Sequence, residues 1–179
     1  NPYSSIESLT EIDKTITVNE EVFLDFSKIT FSTPFSMILT GGYIRQYVNK
    51  RKSMGLLTTG SAINNSHAHS YMKHVGFFDY IGLPKGKQIG QANNSSTCAP
   101  IKQLTRINIE SGISTPYKKR HHVIHEESSN LTKIFFNSNN DTPYNNALTF
   151  TIREIIRNVF EHSKADSCYI FGQKIKDFT

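Results

Sequence analysis

The sequence predicts an α/β fold, in which short strands alternate with longer helices. Two Thr-Pro pairs, Thr33-Pro34 and Thr142-Pro143, mark helix starts, because threonine is a good N-cap and proline suits the first helical position. The short apolar runs at 21–26 and 167–171 have the length and residue types of strands. With 179 residues, the chain can hold one ordinary domain, or a small domain and part of another.

The first half of the chain predicts a strand, a helix, a second strand and a second helix. The first strand covers residues 21–26, and the helix beginning at Pro34 keeps its apolar periodicity to about residue 50. Residues 55–58 are the candidate second strand. The second helix covers about residues 66–75 and ends at Gly76, because a glycine just after the last turn commonly stops a helix.

Two glycine-containing stretches are not expected to bind phosphate. Gly41-Gly42 lies inside the first helix, where each glycine costs about 1 kcal/mol relative to alanine, and no Gly-Lys-Ser/Thr sequence follows. Residues 84–90 contain lysine and glycine but lack the spacing of a phosphate-binding loop. We expect the two helical glycines to permit close packing on a sheet, and residues 84–90 to form a loop.

The second half predicts a strand, a connector and a final helix with its strand. Residues 105–109 alternate at the period of a strand. Residues 118–138 are expected to connect two domains, first as a helix and then as a polar stretch. The last helix begins at Pro143, and residues 167–171 follow it as a strand.

Composition limits the compartments and partners to be considered. No run of about 18 apolar residues is present, so the sequence predicts no membrane span. Cys98 and Cys168 lie far apart without a nearby partner cysteine, which favours a reducing, cytoplasmic environment. The net charge of +5 is modest, and the basic clusters at 50–52 and 118–120 are predicted to be solvated faces or helix ends.

The helix that begins at Pro143 carries the most informative pattern of the chain. Glu154, Asn158 and His162 are spaced four apart, and at about 100° per residue this places all three on one face. A neighbouring apolar arc is expected to face a core; its members are Leu148, Ile152, Ile155, Ile156, Val159 and Phe160. The three polar side chains are therefore expected to lie half-buried along one edge of that arc. Arg157 and Glu161 are expected to form a surface ion pair.

The pattern Glu154-x-x-x-Asn158-x-x-x-His162, with Ser-Lys-Ala-Asp and the strand at 167–171 after it, resembles the N-box of the GHKL ATPases. That superfamily includes gyrase, Hsp90, MutL, histidine kinases and the anti-sigma-factor serine kinases. The resemblance implies ATP and Mg²⁺ as cofactors, with Asn158 as the ligand of the magnesium ion that bridges the phosphates. It implies that Glu154 is the general base and that His162 supports cofactor binding. One amide oxygen suffices as a protein anchor, because magnesium keeps several of its waters.

A GHKL pocket also needs an Asp-x-Gly-x-Gly segment that recognises adenine and a later glycine-rich lid over the phosphates. Neither follows residue 171 in this chain. The resemblance therefore implies that the ATPase fold is incomplete here, and that this fragment binds ATP poorly or not at all by itself.

Residues 15–115 are similar to the STAS domain of anti-sigma-factor antagonists, in their order of strand, Pro-started helix, strand and second helix. The resemblance implies a mixed sheet with helices, a regulatory or interaction role and a protein partner. STAS antagonists carry a phosphorylated serine in Asp-Ser-Ser-Gly at the head of the first helix. This chain has Ser32-Thr33-Pro34-Phe35 at that position, so we expect no phospho-switch.

These observations predict a STAS-like domain at residues 1–115, a connector at 116–141 and the start of a GHKL domain at 142–179. The first functional hypothesis is an ATPase or anti-sigma-like serine kinase under STAS-like control. The Glu-Asn pair serves hydrolysis and phosphotransfer alike, so the reaction type stays open. The alternative is a non-catalytic protein–protein interaction module whose last helix resembles the N-box by ancestry or chance. A nucleic-acid role is disfavoured, because the basic residues are scattered and lack an aromatic platform.

Overall fold

The computed structural model describes residues 14, 16–17, 21–61, 67–110, 116–136, 142–163 and 165–174. Its architecture is mixed α/β, which confirms the predicted fold class. The chain divides into two compact units, Asn1–Ala92 and Asn93–Thr179. None of the described helices has both the length and the apolar character that a membrane span requires.

The first unit begins with a strand–helix–strand arrangement. Strand β1 is Val22–Leu24, helix α1 is Pro34–Ser53 and strand β2 is Thr58–Gly60. The two strands are parallel, with Phe23 opposite Thr59. Two short helices follow, α2 at His67–His74 and α3 at Phe77–Tyr80.

Helix α1 has the N-terminal cap that its sequence predicts. Thr33 Oγ1 accepts a hydrogen bond from the Ser36 amide at 3.2 Å, and Ser36 Oγ accepts one from the Thr33 amide at 3.1 Å. The pair forms a capping box in which serine takes the place of the usual glutamate. Pro34 occupies the first turn, as predicted.

Because of the turn that ends α1, the second strand begins later in the sequence than predicted. The Leu56 amide donates to the Arg51 carbonyl at 2.9 Å, and Gly55 takes a positive φ of 74°. Residues 54–56 are therefore used to end the helix, and β2 starts at Thr58, where the sequence predicts the strand to finish.

Aromatic rings form the centre of the first core. Phe26 meets Phe77 and Phe78 edge-on, with ring centroids 6.1 and 5.4 Å apart. Gly76 has a φ of 82° between α2 and α3, which confirms the predicted helix stop. A Cβ on Gly41 would lie 2.9 Å from the Phe77 ring, so this glycine does permit close packing. Its partner is helix α3, however, and not the predicted sheet.

The second unit pairs two strands that are distant in sequence around a set of helices. In chain order its elements are strand β3 at Cys98–Thr105, helix α4 at Arg106–Glu110, helix α5 at Pro116–Phe136, helix α6 at Pro143–His162 and strand β4 at Ser167–Gln173. Strands β3 and β4 are antiparallel, with Thr105 opposite Ser167, and the register shifts between Ala99 and Lys102. The predicted helix start at Pro143 and the strand at 167–171 are confirmed.

The strand predicted at 105–109 is wrong. Strand β3 ends at Thr105, and the next five residues form α4. Ile107 is 76% exposed whereas Ile109 is 1% exposed, although a strand would place both side chains on one face. The apparent alternation is therefore the start of a helical turn that buries Ile109.

The division between the units falls earlier than the predicted boundary at residue 115. Because β3 pairs with β4, residues 98–105 belong to the second unit. The predicted connector at 116–141 contains α5, whose buried side chains Ile124, Leu131 and Ile134 are core residues. A pairing between strands so distant in sequence leaves no local signal from which such a division could be predicted.

Apolar side chains from both strands and from the helices of this unit meet in the second core. Strand β3 contributes Leu104, helix α5 contributes Ile124, and helix α6 contributes Ile156 and Phe160, each less than 9% exposed. Cys168 and Ile170 of β4 pack against this cluster. The core therefore fixes which side of α6 faces inward.

Candidate functional site

Helix α6 presents the predicted polar row on the side away from its buried residues. Ile156 and Phe160 face the core, Glu154 is partly buried, and Asn158 and His162 are exposed. The expected half-burial of the three polar side chains is therefore wrong for Asn158 and His162, which lie too far around the helix from its buried side. All three polar residues lie on one side of the helix, at successive turns. The predicted apolar arc is too wide, because Ile155 is 59% exposed and lies outside the core.

Both ends of α6 are held by hydrogen bonds. At the start, Thr142 Oγ1 accepts from the Asn145 amide at 3.2 Å, so the predicted N-cap is confirmed. At the end, Arg106 Nη2 donates to the carbonyls of Phe160 at 2.6 Å and Ala165 at 3.2 Å. The same guanidinium lies 5.8 Å from the centre of the Phe160 ring. Arg106 thereby ties the last turn of α6 to the end of β3.

The rotation of α6 about its axis is fixed by a polar contact with α5. Thr149 Oγ1 donates to Thr132 Oγ1 at 2.9 Å. Thr132 in turn donates to the Ser128 carbonyl at 3.0 Å, and Ser128 Oγ donates to the Ile124 carbonyl at 2.7 Å. Ser128 and Thr132 are buried, and these bonds satisfy their hydroxyl donors. The contact keeps the opposite side of α6, which carries Asn158, turned outward.

The carboxylate of Glu154 is held by an arginine one turn later. Arg157 Nη2 lies 2.7 Å from Glu154 Oε2, and Arg153 Nε lies 3.5 Å from Glu154 Oε1. Arg157 Nε is also 3.4 Å from Glu161 Oε2, which confirms the predicted pair of those two residues. The sequence analysis missed the contact of Arg157 with Glu154, although a spacing of three predicts such a pair as well as a spacing of four.

One oxygen of Glu154 has no hydrogen bond. Within the described part of the chain, Glu154 Oε1 is buried without a hydrogen-bond partner, and the same is true of Arg157 Nε. Both atoms lie within ion-pair distance of an opposite charge, but the contacts do not have hydrogen-bond geometry. Arg157 therefore orients the carboxylate through Oε2 and leaves Oε1 unsatisfied.

Asn158 and His162 differ from Glu154 in their side-chain contacts. Among residues 142–163 and the other described segments, neither side chain makes a hydrogen bond or an ion pair. An exposed amide with no internal partner can supply the single oxygen that Mg²⁺ requires of a protein. His162 lies in the last helical turn, where a protonated imidazole interacts favourably with the helix dipole. The donor set of α6 thus fits Mg²⁺ bound through Asn158.

The histidine-rich stretches at 67–74 and 121–125 form no metal cluster in the described structure. His69 is buried in the first core instead, with Nε2 2.6 Å from the Phe26 carbonyl. His122 is exposed and lies 3.9 Å from Glu126 on the same helix. Packing therefore explains His69, and a surface contact explains His122.

Comparison of the chain with protein-family models, curated proteins and solved structures finds no match. The interpretation of this site therefore depends on the chemistry and placement of the side chains of α6.

Proposed function

We propose that the second unit supplies the magnesium and catalytic residues of a GHKL-type ATPase or protein serine kinase. The observation that carries this proposal is the outward, uncommitted amide of Asn158, one turn after the oriented carboxylate of Glu154. Both side chains belong to a helix whose two ends and rotation are fixed by hydrogen bonds. Rigid positioning of this kind is what a catalytic pair requires.

Each residue has a distinct role in this proposal. Asn158 contributes its amide oxygen to Mg²⁺, and Glu154 accepts the proton of the attacking water or hydroxyl. His162 supports the bound phosphates one turn further along the helix. Bound Mg²⁺·ATP supplies the phosphoryl group that is transferred and the cation that neutralises its charge.

Arg157 constrains how Glu154 can act as a base. Its guanidinium occupies Oε2, which leaves Oε1 as the oxygen that can accept a proton. Oε1 is shielded from solvent by its surroundings. In this proposal the attacking water or hydroxyl therefore approaches the Oε1 side of the carboxylate, while Arg157 keeps Oε2 in place.

The first unit is proposed to have the regulatory or interaction role that its STAS resemblance implies. Phe31, shortly before α1, and Phe35 and Leu39, in its first two turns, are 72%, 73% and 56% exposed. Exposed aromatic and aliphatic side chains so close together are typical of a protein-binding surface. Cytoplasmic localisation belongs to the same proposal, and the two free cysteines fit a reducing compartment.

A non-catalytic interaction module is the second candidate. It is favoured by the ion pair of Glu154 with Arg157, since a purely structural helix would hold its carboxylate in the same way. Under this alternative, Asn158 and His162 are ordinary solvated residues.

Titration of Mg²⁺·ATP by calorimetry separates the two candidates. The protein is produced from its complete natural reading frame, beside Asn158→Ala and the matched control Asn146→Ala, which changes another exposed asparagine of α6. We expect magnesium-dependent binding that Asn158→Ala weakens at least about tenfold and Asn146→Ala leaves unchanged. In a turnover assay, Glu154→Gln should retain ATP binding and lose about a hundredfold or more in rate.

Two results would overturn the nucleotide proposal. The first is a folded wild-type protein that does not bind Mg²⁺·ATP. The second is equal binding by the wild type and Asn158→Ala. Either result would leave the interaction module as the function to pursue.

A further inference from the structure

A cavity of about 340 Å³ opens in the first unit beside the start of α1. Its inner wall is apolar and comes from the segment after β1 and from helices α1, α2 and α3. The main contributors are Phe26, Ile29, Met37, Ile44, Met72 and Phe77. The volume is at the lower end of the range of small-molecule sites.

The wall of this cavity is preformed. Phe26 stacks edge-on against Phe77, with ring centroids 6.1 Å apart, and its carbonyl is fixed by His69 Nε2 at 2.6 Å. Met37 and Met72 are each 1% exposed. A ligand entering the cavity therefore meets packed side chains, and little ordering entropy is lost on binding.

The lining also contains polar groups. Thr30, Ser32, Ser36 and Thr40 contribute hydroxyls, and Lys28 contributes the one charged group among the described residues that line the cavity. Within the described part of the chain, Lys28 makes no hydrogen bond or ion pair. Its ammonium is available to an anion.

The neighbouring carboxylate of Asp25 interacts with Lys28, but less strongly than with its hydrogen-bond donors Ser27 and Ser61. Asp25 accepts hydrogen bonds from the Ser27 amide at 2.8 Å and from Ser61 Oγ at 3.2 Å, and it does not line the cavity. The first turn of α1, which supplies Ser36 to the lining, contains no acidic residue. The positive end of the helix dipole therefore adds to the charge of Lys28.

We propose that this cavity binds a small monoanionic amphiphile, with its apolar body against Phe26, Met37 and Met72 and its acidic group at Lys28. A neutral apolar molecule would gain nothing from the Lys28 ammonium. A multiply charged molecule would have to bury charge against the apolar wall. The cavity belongs to the first unit, whereas Glu154 and Asn158 belong to the second, so this proposal does not rest on the nucleotide proposal.

Octanoate is a suitable probe, because it joins one carboxylate to a flexible apolar chain that fits the cavity. The 179-residue chain is titrated with octanoate below its micelle concentration and, in parallel, with octanol and octylamine. We expect octanoate to bind about five- to tenfold more tightly than octanol, as one partly exposed ion pair allows, and octylamine to bind most weakly.

Three variants locate the site. Lys28→Gln should weaken octanoate binding about five- to tenfold and leave octanol unchanged. Thr40→Leu should abolish binding of both ligands by filling the cavity, and leucine favours the helix more than threonine does, so α1 should remain folded. Lys52→Gln is the matched control, because it removes an exposed lysine that does not line the cavity.

Circular dichroism verifies the fold of each variant before titration. Absence of octanoate binding to the folded wild type would overturn the proposal. So would equal affinities for octanoate and octanol, or octanoate binding that survives both Lys28→Gln and Thr40→Leu.

Discussion

Arg51 links the last turn of α1 to the beginning of β2. Its guanidinium is wholly buried, with Nε donating to Thr58 Oγ1 at 3.0 Å and Nη2 donating to the Leu57 carbonyl at 2.9 Å. It also lies 5.9 Å from the centre of the Tyr47 ring. The planar fork of an arginine can serve such divergent acceptors at once, whereas an ammonium group is a single point charge.

Replacement of Arg51 should therefore lower the free energy of unfolding by more than replacement of an ordinary surface residue would. We expect Arg51→Lys to lower the free energy of unfolding by about 2–4 kcal/mol, since acceptors in the core would lose their donors. Lys50→Ala, at the exposed neighbouring position, should change it by less than about 0.5 kcal/mol. Urea denaturation followed by circular dichroism measures both. Equal small effects would show that the buried hydrogen bonds of Arg51 contribute nothing to stability.

The sequence could not distinguish Arg51 from its neighbours. Lys50, Arg51 and Lys52 were all predicted to be solvated or at a helix end, and all three do lie in the last turn of α1. Lys50 and Lys52 are exposed there, whereas Arg51 is buried. Its burial depends on acceptors in Leu57 and Thr58, which approach only after the chain has turned back from α1. A run of basic residues can be recognised in the sequence, but the sequence does not show which of their side chains the following strand will bury.

The contact of α1 with α3 depends on the absence of side chains at two successive positions. A Cβ on Gly41 would lie 2.9 Å from ring atoms of both Phe77 and Tyr80. A Cβ on Gly42 would lie 3.0 Å from Tyr80 Oη only, and that hydroxyl donates to the Ile38 carbonyl at 3.1 Å. The first position thus faces the bodies of two rings, and the second faces the end of one side chain.

This difference predicts unequal effects of alanine at the two glycines. Alanine gains about 1 kcal/mol in helix propensity at either site, but overpacking at Gly41 costs about 1–3 kcal/mol. We expect Gly41→Ala to be net destabilising, and Gly42→Ala to be at least about 1 kcal/mol more stable than Gly41→Ala. Thermal unfolding of the two variants side by side measures the difference. Equal melting temperatures would mean that α3 moves away from α1 at little cost.

At the level of elements, local signals predicted helix starts better than strands. The Thr-Pro pairs at 33–34 and 142–143 correctly predicted the N-caps of α1 and α6, because a cap is formed by residues within one turn. The strand prediction at 105–109 failed because burial of Ile109 and exposure of Ile107 are decided by the core of the second unit. A two-residue period over so short a segment cannot separate a strand from a helical turn.

At the level of the whole chain, the two proposed sites differ in how visible they are in the sequence. Glu154, Asn158 and His162 lie on a single helix, so their spacing alone places them on one side. The cavity in the first unit is assembled from residues spread between 26 and 77, on three helices and a loop. No local pattern marks such a site, and Lys28 becomes notable only when the apolar wall beside it is known.

Ionisation should affect the stability of the chain at opposite ends of the pH scale. Hydrogen bonds from Ser27, and then from Ser61, hold the pKa of the Asp25 carboxyl below its ordinary value of 3.8. Burial raises the pKa of the Cys168 thiol from 9.0 to about 11. Asp25 belongs to the first unit and Cys168 to the second.

The signs of the two effects follow from which state binds the proton more tightly. Unfolded Asp25 holds its proton at a higher pH than folded Asp25, so its contribution to stability is present above pH 3.8 and is lost on acidification. Unfolded Cys168 loses its proton near pH 9.0, whereas the folded thiol keeps it to about 11, so stability falls across that interval. Acid should therefore weaken the chain through Asp25, and alkali through Cys168.

Urea denaturation at a series of pH values tests both signs against variants. Asp25→Asn should be less stable than the wild type at neutral pH, and the gap should close as the pH falls below 3.8, because the wild type then loses the same carboxylate. Cys168→Ala should flatten the fall in stability between pH 9.0 and about 11, whereas Cys98→Ser, the matched control, should retain it. A constant gap between Asp25→Asn and the wild type at every pH would contradict the first sign. An undiminished alkaline fall in Cys168→Ala would contradict the second, because the proton released on unfolding would then come from another group.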